Sequence, residues 1–234
     1  MKRITLGALA AALAAAPLTA RAQGMGEANR KIENGGIFAP GWQGKIDPSA
    51  ARRGSTLNDA RFAKEGNAYH VTTGPATTYW NPANVASGEY TVKATFTEPK
   101  FMNRNDHAHP YGIVIAGNAM GTDKASFLYC AAYGTGYFIV RGFGPNPFQM
   151  NGREGEMNAA VHKAAGPDQP VTQDIAMTVT KDKVECTING TVVASYPKSA
   201  LVTAGKLAST DGVYGIRFAH NTDGVVTNLT MTKH

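Results

Sequence analysis

The sequence lacks the patterns that would assign an activity directly. It contains no nucleophile elbow, no phosphate-cradling glycine loop that opens a helix and no C-x-x-C pair. It also lacks the E-x-D-x-x-E run that sets two carboxylates on one face of a strand, as retaining glycanases require. The closest acidic pair, Glu154 and Glu156, stands in a glycine-rich loop that we interpret as solvated. These absences argue against an ordinary glycoside hydrolase, so no catalytic residue is assigned and an enzymatic role stays open.

Charge is also scarce. Charged residues make up 17% of the chain, and the net charge of +6 comes partly from the first 22 residues. Without Lys2, Arg3 and Arg21 the chain keeps 20 basic and 17 acidic residues, a net charge of +3. The basic residues form no cluster, so the composition predicts no nucleic-acid partner. No motif for a cofactor is present, and none is predicted.

Long apolar runs are confined to the N-terminus. A charged start at residues 1–3 precedes an Ala/Leu-rich segment at 4–18, and Ala-Arg-Ala at 20–22 has the small-x-small pattern of a signal-peptidase site. A spanning helix needs about 20 apolar residues, which is longer than this segment. We therefore predict a signal peptide over 1–22 that is cleaved before Gln23, a periplasmic or secreted bacterial protein, and no membrane span.

Only two cysteines are present, Cys130 and Cys186, each inside a predicted strand. An exported protein meets an oxidising environment, so a disulfide between them is one interpretation. The other is a pair of buried thiols that act as small apolar residues. The sequence does not show whether the two strands are neighbours, and both alternatives stay open.

Glycine (26 residues) and proline (12) are plentiful and separate short apolar runs. Tyr90, Val92 and Phe96 alternate with polar residues, which is typical of a half-buried strand. Asn189-Gly190 predicts a type I′ hairpin that would place Cys186 opposite Val193. About eleven or twelve such strands, with turn signals between them, predict an all-β fold of two antiparallel sheets packed as a sandwich.

Two segments depart from the strand pattern. Residues 23–36 are polar and aperiodic, which predicts a flexible N-terminal arm before a single β-sandwich domain over 37–234. Residues 154–165 place apolar side chains at helical intervals, which predicts a short helix there.

Six stretches carry a resemblance to a known fold. They are HVTTGPATTYWNP (70–82), GEYTVKATF (88–96), HPYGIVIAG (109–117), YFIVRG (137–142), VECTINGTVV (184–193) and GVYGIRFAHN (212–221). Together they resemble the concanavalin A-like lectin/glucanase sandwich. More narrowly, the chain is similar to a group of exported bacterial proteins near the 3-keto-disaccharide hydrolase-like domain. The resemblance implies a jelly-roll β-sandwich and transfers no catalytic residue, because function resides in sites placed on folds.

Two arginines stand inside apolar strands, Arg141 and Arg217. An arginine there is costly unless it is paired or faces a wet groove. By alternation Arg217 shares a face with Gly215, and Arg141 shares a face with Tyr137. This predicts a groove on the concave outer face of one sheet that binds a sugar or carboxylate, since guanidinium groups supply planar donors. Surface pairing with acids is the alternative.

A D-H-x-H cluster precedes the first of the long apolar strands. Histidines at i and i+2 of a strand point the same way, so His107 and His109 can share a metal with Asp106, and His220 is a third candidate ligand. A structural or solvent-facing role is the alternative, and no metal is assigned. The predicted ligand-binding residues are His109, Tyr111, Arg141, Arg217 and His220.

The leading hypothesis is a non-catalytic, lectin-like module that binds a glycan or a small polar ligand. One alternative is a carbohydrate-active hydrolase related to 3-keto-glycoside-acting domains, which would act through His and Arg. Another is a structural or accessory envelope protein. Trp42, Tyr79 and Trp80 are either an aromatic platform for a ligand or part of the core.

Overall fold

The computed structural model describes residues 29–103 and 107–234, in which two packed β-sheets dominate. The predicted signal peptide lies outside these residues. The helical segments are short: α1 (Pro48–Ala51), a 3₁₀ turn (Leu57–Asp59) and α2 (Lys198–Leu201). No helix in the described ranges is long and apolar enough to cross a membrane.

Strands are numbered in chain order. The first sheet, sheet A, contains eight strands, which are in spatial order β1 (Gly36–Phe38), β3 (Ala60–Glu65), β4 (Ala68–Thr73), β16 (Asp223–Lys233), β6 (Tyr90–Glu98), β12 (Val171–Val179), β13 (Lys183–Ile188) and β14 (Thr191–Pro197). β1 and β3 are parallel, and the other neighbours in this sheet are antiparallel.

Sheet B is antiparallel throughout. Its strands are in spatial order β10 (Phe148–Gln149), β9 (Tyr137–Phe143), β8 (Ser126–Ala132), β7 (Tyr111–Asn118), β15 (Gly212–Phe218), β5 (Thr77–Ala86) and β2 (Gln43–Ile46), and β11 (Glu156–Met157) also pairs with β9. The predicted two-sheet antiparallel sandwich is therefore confirmed.

The core lies between the sheets and follows from the period-2 alternation of the strands. In β6, Tyr90, Val92 and Phe96 are fully buried, as the sequence predicts. From sheet B, Ile113 and Phe218 enter the same cluster. Aromatic rings pack edge-on or stacked within it; Phe96, for example, stacks on Tyr111 with ring centroids 5.8 Å apart.

Cys130 of β8 and Cys186 of β13 form a disulfide, with Cα atoms 6.2 Å apart. Because β8 belongs to sheet B and β13 to sheet A, the bond joins the two sheets through the core. Of the two interpretations left open by the sequence, the structure contains the disulfide.

One local prediction differs from the structure. Residues 154–165 contain the short strand β11 and turns in place of a helix; Met157 is 58% exposed, whereas Val161 is buried, so the apolar positions do not share one face. Within the predicted arm, residues 29–36 contact the sandwich: the Arg30 amide donates to Asn221 Oδ1 at 2.9 Å, and its Nε donates to the Thr73 carbonyl at 2.8 Å. Residues 23–28 lie outside the described ranges.

Candidate functional site

Sheet B has two apolar faces. Alternation along β8 turns Leu128 and Cys130 into the core, and turns Phe127 and Tyr129 to the opposite, outer face. Ile139 of β9 joins them there. The sequences of the central strands are therefore almost continuously apolar, because both faces of these strands pack against other groups.

A groove of about 660 Å³ lies on this outer face. Four of the five predicted ligand-binding residues line it, namely His109, Arg141, Arg217 and His220. They come from β9, β15 and the segments that flank β7 and β15, so the order of strands in sheet B brings them together. The other lining residues include Asp47, His107, Tyr129, Tyr133, Tyr137, Ile139 and Glu154.

Arg217 forms the floor of the groove and is bound by Asp47. Its Nη1 donates to Asp47 Oδ1 and to Thr78 Oγ1, both at 2.8 Å, and its Nη2 donates to Asp47 Oδ2 at 2.6 Å. The guanidinium carbon also lies 5.0 Å from the Tyr129 ring centroid and 5.1 Å from that of Phe143. Burial lowers the pKa of Arg217, but the charge of Asp47 outweighs it and the pKa is raised. Arg217 is thus a fixed cation whose charge is largely neutralised.

Arg141 is half-buried and lies directly across from Tyr129 on the neighbouring strand. Its Nη2 donates to the Arg153 carbonyl. Its Nε is buried and finds no hydrogen-bond acceptor among the described residues. No described carboxylate lies within salt-bridge distance of Arg141, so this arginine, unlike Arg217, keeps donor capacity for a ligand.

Three tyrosines line the groove: Tyr129, Tyr133 and Tyr137. Sequence reasoning did not assign them to the site, although their spacing places Tyr129 and Tyr137 on the same face of sheet B as Arg141. Burial raises the pKa of the Tyr133 phenol, and the charge of Arg141 lowers it in part. Tyr133 therefore stays protonated at neutral pH and can donate a hydrogen bond.

The aromatic residues singled out in the sequence lie elsewhere. Trp42 packs against Phe62 with ring centroids 5.1 Å apart, and Tyr79 is buried in the core. Trp80 is buried and lines a neighbouring cavity. For Trp42 and Tyr79, core packing is the correct alternative.

Tyr111 does not reach the groove, although it was predicted to bind ligand. It is 1% exposed and packs between the sheets against Phe96 and Phe218. The reason is strand parity: the next residue, Gly112, is the one on the outer face, where it lies opposite Arg217. A β-carbon at Gly112 would stand 1.9 Å from the Cys130 carbonyl oxygen, so this position holds no side chain.

His107, His109 and His220 form a cluster at one end of the groove. The ring centroid of His109 lies 4.3 Å from that of His107 and 4.1 Å from that of His220. One ring nitrogen from each lies within 4.8 Å of the others, a spacing compatible with shared coordination of a metal ion. Asp106, the carboxylate of the predicted cluster, lies outside the described residues.

Two described carboxylates line the groove. Asp47 is held by Arg217, and Glu154 is 90% exposed beside Arg153. Asp47 also lines an adjoining cavity of about 900 Å³, whose walls include Trp80, Phe127 and Phe143. Asp47 therefore lines two neighbouring recesses on the outer face of sheet B.

The fold places the chain among the concanavalin A-like jelly-roll sandwiches. The carbohydrate-binding module CBM66 from Bacillus subtilis is similar over 82% of this chain and 96% of its own, with a TM-score of 0.55 and 8% identity. A protein of unknown function with a galectin-like fold, also from Bacillus subtilis, covers 82% of this chain and 89% of its own, with a TM-score of 0.51 and 11% identity.

A laminarinase from Flavobacterium sp. UMI-01 has a TM-score of 0.51 and 11% identity, over 80% of this chain and 90% of its own. At identities this low, the structural similarity establishes the fold alone, and the function of the site must be argued from its own residues. No family profile and no curated protein sequence matches the chain. The similarity to the 3-keto-disaccharide hydrolase-like domain thus stays a prediction.

Proposed function

We propose that the protein is an exported glycan-binding module and that the groove on the outer face of sheet B is its binding site. One observation carries the proposal: the groove combines tyrosine rings with an arginine that retains donor capacity. Sugars present apolar faces that stack on aromatic rings and hydroxyls that accept from planar donors. A groove of about 660 Å³ falls within the range of small-ligand sites.

The residues of the groove have different roles because their surroundings differ. Tyr133 and Tyr137 supply ring surface at the wall, and Arg141 supplies guanidinium donors between them. Arg217 acts through position, since three of its five N–H donors are bound by Asp47 and Thr78. Its guanidinium carbon lies 5.0 Å from the centroid of the Tyr129 ring, within cation–π distance. Arg141 is therefore the arginine of the groove that contacts the ligand in this proposal.

Export is part of this proposal. The leader at 1–22 predicts passage to the periplasm or beyond. The disulfide between Cys130 and Cys186 is consistent with an oxidising compartment. Glycans of the cell envelope or of the surroundings are the ligands available there.

A glycan array followed by calorimetry on the best saccharide tests the proposal. We expect Arg141→Ala and Tyr137→Ala each to weaken binding by about 10-fold or more, because both remove a central contact. Arg53→Ala is the matched control, since Arg53 is exposed and does not line the groove. Arg217→Ala is a poor probe, because it also strips Asp47 of its partner.

Two outcomes contradict the proposal: no saccharide binds, or a saccharide binds equally well to wild type, Arg141→Ala and Tyr137→Ala. Thermal unfolding of each variant shows whether the fold is intact, so that lost binding is not confused with lost structure.

A carbohydrate-active enzyme is the second candidate, favoured by the histidine cluster beside the groove. Product analysis after incubation with glycans and 3-keto-glycosides separates the two. Turnover that is lost in His107→Ala supports the enzyme; binding without turnover supports the module.

A further inference from the structure

The histidine cluster is assembled by the pairing of β7 with β15. These strands are antiparallel neighbours in which Tyr111 lies opposite Phe218. The segment that enters β7 and the segment that leaves β15 must therefore meet at the same edge of sheet B. A hydrogen bond of 2.9 Å from the Ala219 amide to the Pro110 carbonyl extends the ladder past the strands. His109 and His220 flank this bond in sequence, one on each chain segment.

The three imidazoles differ in exposure in a way that suits a metal at a groove edge. His109 is buried, His220 is partly buried and His107 is exposed. All three line the groove. An ion held by them would therefore rest against the sandwich on one side and face the groove on the other.

The spread of the donor atoms is close to what a small divalent cation requires. Imidazole nitrogens bind Zn²⁺ at about 2.0–2.1 Å in a tetrahedron, which sets the nitrogens about 3.3 Å apart. In this structure they lie within 4.8 Å of one another. Side-chain rotations would have to close this difference, and His107 is the exposed member of the three.

We propose that His107, His109 and His220 bind one Zn²⁺ ion at the end of the groove. Three protein ligands leave the fourth position of a tetrahedral zinc for water or for an exogenous oxygen. That position faces the groove, so a ligand hydroxyl or carboxylate there completes the coordination. The metal site stands on its own geometry; only this role of the fourth position rests on the proposed glycan binding.

The first test measures zinc alone. Tag-free protein is stripped with EDTA, dialysed and titrated with ZnCl₂ by calorimetry, and the bound metal is counted by mass spectrometry after dialysis. We expect one zinc per chain. Co²⁺ substitution provides a second readout, the visible absorption of a tetrahedral site, which a loosely associated ion does not give.

Variants locate the ion. Loss of an outer-shell partner alone costs a metal site about 10–100-fold in affinity, so loss of a ligand in His107→Ala or His220→Ala is expected to cost about 100-fold or more. His162→Ala is the matched control, because His162 is exposed and outside the cluster. His107 is preferred over the buried His109, whose replacement is more prone to disturb folding.

The proposal is wrong if wild type binds no more zinc than the His107→Ala/His220→Ala double variant, or if both single variants keep wild-type affinity. Repeating the saccharide titration with zinc-loaded and zinc-free protein tests the fourth position. Zinc binding without any saccharide binding would overturn the proposed function and leave the metal site standing.

Discussion

Arg217 shows how one residue satisfied two competing interpretations of the sequence. It lines the groove, as the ligand-binding hypothesis requires, and it is also paired with an acid, as the alternative held. A charge that is only 7% exposed needs a partner of opposite sign. Asp47 supplies the negative charge although it lies 170 positions away in the sequence. Local sequence patterns do not predict an ion pair at that separation.

Glu98 is a buried acid that belongs neither to the groove nor to the histidine cluster. Alternation along β6 points it inward, and it is 4% exposed. Its Oε2 accepts no hydrogen bond from any described residue. Burial, aided by the charge of Asp223, raises its pKa to about 7, against the lowering effects of the Met102 backbone and of Arg30. The folded protein therefore keeps a proton on Glu98 at pH values where the unfolded chain has lost it.

We predict that Glu98→Gln stabilises the protein increasingly as pH rises. Between pH 4.5, the ordinary pKa, and about 7, folded wild type binds one more proton than the unfolded chain, so its stability falls with rising pH. Glutamine carries no charge at any pH. The free energy of unfolding of the variant relative to wild type should rise by up to about 3 kcal/mol across this window and stay level above it.

Urea unfolding at several pH values between 4 and 8 measures this difference. Glu33→Gln is the control, because Glu33 is exposed, and its difference from wild type should show no comparable trend. A pH-independent difference for Glu98→Gln would show that Glu98 does not carry the proton.

At the scale of elements, the hairpin between β13 and β14 was predicted correctly from two residues. Asn189 and Gly190 both have positive φ, at 49° and 82°, as a type I′ turn requires. The predicted register was wrong by one residue: Cys186 lies opposite Ala194, because the ladder shifts between Cys186 and Thr187. A bulge adds a residue to one strand only, and alternation of residue types does not reveal it.

Gly190→Ala tests how strongly the turn depends on glycine. A β-carbon at Gly190 meets no atom within 4 Å, so the cost arises from the left-handed backbone alone. We expect a loss of about 1 kcal/mol in the free energy of unfolding, measured by denaturant titration.

Gly166→Ala is the matched control. Its β-carbon also meets no atom within 4 Å, but its backbone lies outside the left-handed region. This variant should be neutral or slightly stabilising, since alanine restricts the unfolded chain. Equal losses at the two positions would contradict the assignment of the cost to φ.

At the scale of the whole molecule, the disulfide ties sheet A to sheet B. The bond links residues 56 positions apart, and closing a loop of that length in the unfolded chain is worth about 4 kcal/mol on the chain-entropy estimate. We predict that reduction, or the double change Cys130→Ala/Cys186→Ala, lowers the free energy of unfolding by about that amount.

Guanidinium unfolding of wild type with and without reductant measures the effect. The double alanine variant serves as the control, because a reductant should leave its unfolding unchanged. A wild type that is insensitive to reductant under conditions that open the bond would refute the prediction.

The sequence by itself determined the architecture of this protein and the chemistry of most candidate residues. Strand alternation and turn residues act over two to four positions, so β6, the hairpin at Asn189 and the outward orientation of Arg141 were predictable without coordinates. Tyr111, which was predicted to bind ligand, is buried in the core, because the parity of β7 turns it inward and Gly112 outward.

Only the tertiary structure decided which of these residues meet. The adjacency of β7 and β15 brings His109 to His220, and the pairing of β2 with β5 and of β5 with β15 brings Asp47 to Arg217. Such contacts depend on the order of strands within a sheet. The same alternation of apolar and polar residues is compatible with several strand orders. The groove exists because packing between distant segments, rather than any local pattern, selected one order.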